Sequence, residues 1–232
     1  MIPAKDNIPN HRFPLVTVGL ILANLVIYLV AVSGGGSVIS GPDTHQVLRW
    51  GATPYALSHH LGQHWATAFS AMFVHASILH LAGNLLFLWI FGNTVEDAMG
   101  RLKFLGFYIL AGLAALALQV ALAPNSTAPI LGASGAIAGV LGGYILLYPR
   151  ARVLTLVIVI CFVTVLEIPA LVMLGAWFAE QAAFAATNLT TPTGSGGVAA
   201  YFAGAGGFLF GLAAIRLLAV NRQPLPPAAV VH

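Results

Sequence analysis

Residues 131–143 read L-G-A-S-G-A-I-A-G-V-L-G-G, and the fold turns on how this stretch is read. Ser134 stands in a G-x-S-G frame, where a polar, proline-containing loop (residues 124–129) gives way to an apolar run. The flanking Gly132 and Gly135 leave its hydroxyl open to close approach by backbone or ligand. Beyond it, Gly135, Gly139 and Gly143 recur every four residues, which on a helix makes a smooth stripe for close packing of a second membrane helix. A serine at the mouth of such a helix is compatible with a nucleophile, a small interface residue or an N-cap. The motif by itself leaves these roles open.

Composition sets the class. Hydrophobic residues are 59% of the 232-residue chain and charged residues 6%, against roughly 25% charged in soluble domains. Several apolar runs approach the length that crosses a bilayer, so a polytopic helical membrane protein is expected. The net charge of +3 is small, and no nucleic-acid partner is expected. Cys161 is the single cysteine and leaves no intrachain disulfide to form. No cofactor or metal motif is present, and neither group is expected.

Working outward, the pattern predicts six spans, at about 14–32, 78–95, 104–123, 132–148, 153–178 and 198–220. A polar tail, 1–13, precedes this membrane domain (14–220), and a second tail, 221–232, follows it. Residues 41–77 read as an elaborated loop with short interfacial helices, its tryptophans near headgroup level. Residues 95–103, V-E-D-A-M-G-R-L-K, read as a charged loop. The fifth span holds Glu167, expected as a hydrogen-bonded carboxyl inside the bundle, and a kinking Pro169. Lys5, Arg12, Arg101, Lys103, Arg150, Arg152, Arg216 and Arg222 fall on one side of this arrangement and only Arg49 on the other. The asymmetry puts both termini in the cytoplasm and Ser134 near the outer face. Richness in alanine and glycine points to a prokaryotic cell membrane.

Polar side chains at membrane depth are costly and need a reason. His80 and Asn84 are four residues apart, on one face of the second helix and near the depth expected for Ser134. They are compatible with a helix-bridging hydrogen bond or with an oxyanion hole serving serine attack. His75 is expected to tie the preceding loop to the bundle.

Taken together, these motifs resemble the rhomboid intramembrane serine proteases. F-V-H-A-S-I-L-H-L-A-G-N (73–84) resembles the second-helix signature, V-E-D-A-M-G-R (95–101) the loop after it, and G-A-S-G (132–135) the nucleophile motif. Y-F-A-G-A-G-G-F-L-F-G (201–211) resembles the sixth helix, and Arg49-Trp50 is a looser echo of the first loop. The resemblance implies an all-α, six-helix bundle around a water-accessible cavity. In it Ser134 attacks the peptide bond, His80 and Asn84 hold the oxyanion, and the fifth helix gates entry of a substrate's transmembrane helix. Gly132, Gly135, Gly207 and Gly211 surround the site as close-packing positions.

One position departs from the pattern. The family's general base is a histidine two residues before the sixth-helix Gly-Gly pair, and here that position is Gly204. Serine is a weak nucleophile until a neighbouring base takes its proton. His80, His59, His60, His64 and Glu167 are the groups weighed as substitutes, none in the family's position. Two functions follow. One is a protease scaffold with impaired catalysis, acting on transmembrane segments of membrane proteins in the bilayer. The other is a non-catalytic pseudoprotease that binds such segments in client proteins. A transporter fits less well, because intramembrane charges are few and no inverted repeat is visible.

Overall fold

The computed structural model describes residues 2–159, 162–189 and 197–219. Cys161, the centre of the last loop (190–196) and the tail 221–232 lie outside them. A short strand, β1 (Ile2–Asp6), precedes helix α1 (Leu15–Ser33). A small ribbon, β2 (Gly36–Ser37) and β3 (Gly41–Pro42), then leads into four short helices. These are α2 (Thr44–Trp50), α3 (Pro54–His59), α4 (Leu61–His64) and α5 (Thr67–Ser70). Next, α6 (Ile78–Phe87), a wider π turn (Leu88–Gly92) and α7 (Asn93–Met99) run on as one helix. Helices α8 (Arg101–Leu122) and α9 (Ser134–Leu147) follow, then the hairpin of β4 (Arg152–Val159) and β5 (Phe162–Pro169). Helices α10 (Ala170–Leu189) and α11 (Gly197–Leu218) come after it.

Among the described residues, Leu15–Ser33, Ile78–Met99 and Arg101–Leu122 are long and apolar enough to cross a membrane. Shorter apolar helices stand at Ser134–Leu147, Ala170–Ala179 and Gly204–Leu218. The chain is a mostly helical integral membrane protein. Its first helix shows the lipid as solvent: Thr17, Leu20, Asn24, Tyr28 and Ala31, spaced three and four apart, are buried, while Leu22, Val26, Leu29 and Val30 face out.

Helix α9 is the axis of the molecule, with residues 135–144 all buried. Glycines let its neighbours reach its backbone. A Cβ at Gly207 would overlap the carbonyl of Gly135, and one at Gly211 that of Gly139. Neither overlap can be relieved by a rotamer, so α9 and α11 touch main chain to main chain. On the other side α9 meets Ala111 and Gly112 of α8.

Three expectations need correction. The run 153–178 is not one helix: 152–159 and 162–169 pair as antiparallel strands, and helix begins only at Ala170. The residues explain it, since RVLTLVIV and FVTVLEIP are dominated by β-branched side chains that fit a pleated surface better than a helix. Pro169 ends β5 and does not kink a span, and Glu167 is not inside the bundle. It is 43% exposed and lies 4.0 Å from Arg152.

The stretch 95–103 is not a charged loop either. Val95–Met99 ends α7, Glu96 and Asp97 are buried, and only Gly100, at φ +84°, breaks the chain before α8.

Nor are residues 2–10 a free tail. β1 pairs antiparallel with β4, Ile2 opposite Leu156 and Asp6 opposite Val153. Ile8 is fully buried, and Asp6 Oδ2 accepts from Thr94 Oγ1 at 2.7 Å and Tyr144 OH at 2.9 Å. Burial raises the Asp6 carboxyl above the ordinary carboxylate range, and those two hydrogen bonds pull partly against it. The chain's beginning and the end of α9 therefore share one end of the bundle. Ser134 stands at the other, about 21 Å away along α9 at 1.5 Å per residue.

Candidate functional site

Ser77 caps α6, its hydroxyl accepting from His80 N at 3.2 Å. Helical geometry then carries His80 and Asn84 on one face. Asn84 is 1% exposed, and among the described residues neither atom of its amide has a hydrogen-bond partner. Buried amides are nearly always paired, with protein or with water.

It faces the serine motif. Gly132 sits at φ +105°, a conformation open to glycine, and its N–H donates to Ala71 O at 2.8 Å. A Cβ built on Gly132 would lie 2.7 Å from His80 Cε1, 3.0 Å from His80 Nε2 and 3.5 Å from Asn84 Nδ2. The imidazole and the amide thus converge on the backbone two residues before Ser134, and any side chain at 132 would fill that space. Ser134 is the first residue of α9 and half-buried.

His75 holds the loop from beneath. Its Nε2 accepts from Ala133 N at 3.4 Å, which leaves Nδ1 carrying the proton toward Phe73 O at 3.2 Å. Burial, with the neighbouring His80 second, lowers its pKa to about 3. It stays neutral, as an acceptor role demands. The ring meets His80 edge-on, centroids 5.1 Å apart. This is the loop-to-bundle tie expected of it.

Helix register places Gly204. The contacts Gly135 with Gly207, Gly139 with Gly211 and Gly143 with Ile215 share one offset along two parallel helices. Gly204 precedes Gly207 by three residues, on the part of α11 toward the Ser134 end of α9. Unlike its neighbours, Gly204 is not locked. Among the described residues, the only atom near a Cβ there is Phe178 Cε1, at 3.9 Å. Gly204, Gly207 and Gly211 share a helix face, yet only the last two are packing glycines.

The groups weighed as substitute bases are not gathered here, His80 apart. His59 stacks on Tyr55 at 4.5 Å and lies exposed with His60, His64 is half-buried in the next short helix, and Glu167 is on the sheet at the far end. Two participants escaped the sequence reading. Ala71 supplies the carbonyl that fixes Gly132, and backbone partners leave no sequence trace. Phe178, packed against Trp177 and Phe208 with centroids 5.0 and 5.2 Å away, was visible only as part of an aromatic pair in an apolar run. Among the described residues no cluster of His, Cys, Asp or Glu could hold a metal ion. The arrangement is an imidazole and an amide at the backbone of Gly132, two residues before the Ser134 hydroxyl, with glycine at 204.

A family model of the Rhomboid domain matches residues 62–221. The chain is 33% identical over 119 residues to the Bacillus subtilis rhomboid protease GluP, covering 51% of this chain and 21% of that protein. It is 36% identical over 89 residues to rhomboid protein 1, mitochondrial, of Saccharomyces cerevisiae, covering 37% and 26%. To the human presenilin-associated rhomboid-like protein, mitochondrial, it is 33% identical over 82 residues, covering 34% and 22%. The matches thus span about a fifth to a quarter of those proteins' lengths.

Proposed function

Because this chain belongs to the rhomboid family, we propose that it is an intramembrane serine protease scaffold whose catalysis is strongly impaired. Its substrates are peptide bonds in or near transmembrane segments of other membrane proteins. Ser134 occupies the nucleophile position, His80 and Asn84 stabilise the oxyanion, and Gly204 stands where the base is needed. The observation that carries this reading is glycine at 204, where among the described residues a Cβ would meet only Phe178 Cε1, at 3.9 Å. The same observation favours a second reading, a pseudoprotease that binds transmembrane segments of client proteins without cutting them.

Without a base, Ser134 is expected to react slowly with a serine-directed fluorophosphonate in detergent or lipid. Rapid labelling that disappears in Ser134→Ala would show that a substitute base exists and overturn the impaired-site reading.

We place six spans in the bilayer, with both termini cytoplasmic and the serine end facing out, on the lysine and arginine asymmetry. The bacterial and mitochondrial relatives leave the membrane itself open, and composition favours a prokaryotic cell membrane. A cysteine at Thr127 is expected to react with an impermeant thiol reagent in intact cells, and one at Arg150 to be protected. The opposite pattern would invert the topology.

A further inference from the structure

We infer that the pocket between the start of α1 and the α7–α8 corner binds the phosphate of an anionic membrane lipid. It has a volume of about 520 Å³ and lies at the end of the bundle opposite Ser134. Arg12, Arg101 and Lys103 line it, all exposed and none in an ion pair among the described residues. Two carboxylates also line it, but both are turned inward. Glu96 is 3% exposed and accepts from Val16 N, Thr17 N and Thr17 Oγ1. Asp97 is 6% exposed and accepts from His11 N at 3.0 Å. The face presented to the surroundings is therefore cationic.

Depth and neighbours single out a lipid. α1 and α8 are both long enough to cross a membrane, and both begin at this pocket, so it sits at headgroup level. Phe13 and Leu102 flank the cations with 62% and 86% of their surface exposed. Such apolar groups are stable when set against acyl chains, directly below the phosphate that the cations hold. Basic pockets of this kind, at the ends of membrane helices, select anionic headgroups. The first turn of α8, which has no side-chain cap, adds N–H groups of the right polarity.

The test uses the full chain, stripped of lipid in detergent and titrated with phosphatidylglycerol or phosphatidylcholine, with bound lipid counted by native mass spectrometry. One phosphatidylglycerol is expected to bind at least about tenfold more tightly than phosphatidylcholine. Each of Arg12→Gln, Arg101→Gln and Lys103→Gln should weaken it about five-fold, and the triple variant about a hundred-fold. Arg152→Gln removes a cation at the same end but outside the pocket, and should leave binding unchanged. Equal affinity for the two lipids, or an equal loss in Arg152→Gln, would overturn the site. So would single variants that bind as the wild type does, a readout that holds even if the triple variant does not fold. Displacement of the lipid by soluble glycerol phosphate at matched concentration would reassign the pocket to a soluble ligand and overturn the lipid assignment.

Discussion

Gly204→His is expected to raise Ser134-dependent cleavage of a transmembrane substrate by about a hundred- to ten-thousand-fold, the usual worth of a positioned general base. The expectation rests on three features: a half-buried serine at the start of α9, an Asn84 amide with no partner among the described residues, and the His80 ring, which meets that amide beside Gly132. The steric objection is that membrane interfaces built on small residues leave little room. It applies with full force to Gly207 and Gly211, whose Cβ atoms would strike the α9 backbone, whereas among the described residues a Cβ at Gly204 meets only Phe178 Cε1, at 3.9 Å. An imidazole at 204 would stand on the part of α11 toward the Ser134 end of α9. Gly204→Ala tests the packing alone and should stay inactive, and adding Ser134→Ala to Gly204→His should abolish the gain. A folded, monodisperse Gly204→His protein without Ser134-dependent cleavage would mean that the missing base is not the only defect. The binding-only reading would then stand.

Local chemistry was legible in the sequence, and long-range pairing was not. The apolar lengths of 14–32, 78–95 and 104–123, the glycine stripe of α9 and the His80/Asn84 face depend on spacing within one element, and the structure places each at its expected position in the chain. The hairpin was misread because a continuous apolar run does not separate helix from buried strand by period; the β-branched excess in 152–168 was the signal to weigh instead. Asp6 and Glu96 looked solvated because their partners are remote: Tyr144 lies 138 positions from Asp6, and Thr17 lies 79 from Glu96. Gly204 shows the same limit in reverse. Its spacing from Gly207 and Gly211 puts all three on one helix face, and only the neighbouring helices reveal that a Cβ is accommodated at one of them.

Glu96→Ala is expected to cost about 3–5 kcal/mol of stability, as for other groups whose loss strands several buried donors. The reason lies in how α1 begins. Its N-cap is Pro14, which has no side-chain acceptor, and its first turn carries no acid. The free N–H groups there must be satisfied, and the acceptor comes from another helix. Glu96 Oε1 accepts from Val16 N at 3.1 Å, and Oε2 from Thr17 N at 2.8 Å and Thr17 Oγ1 at 2.7 Å. A carboxylate here also sits at the positive end of the α1 dipole. Hydrogen bonds to a charged group are worth about 1.5–3 kcal/mol each, and water entering from the adjoining pocket would recover part of the three. Glu96→Gln keeps one acceptor oxygen and should lose about half as much. Thr17→Val, which removes a single donor with its bond, should cost about 1 kcal/mol. Reversible unfolding in mixed micelles reads all three, and a loss below about 1 kcal/mol for Glu96→Ala would mean that α1 is capped by other means. The ordering matters as much as the size: only a carboxylate that closes the α1 terminus makes Glu96→Ala worse than Glu96→Gln, and Glu96→Gln worse than Thr17→Val.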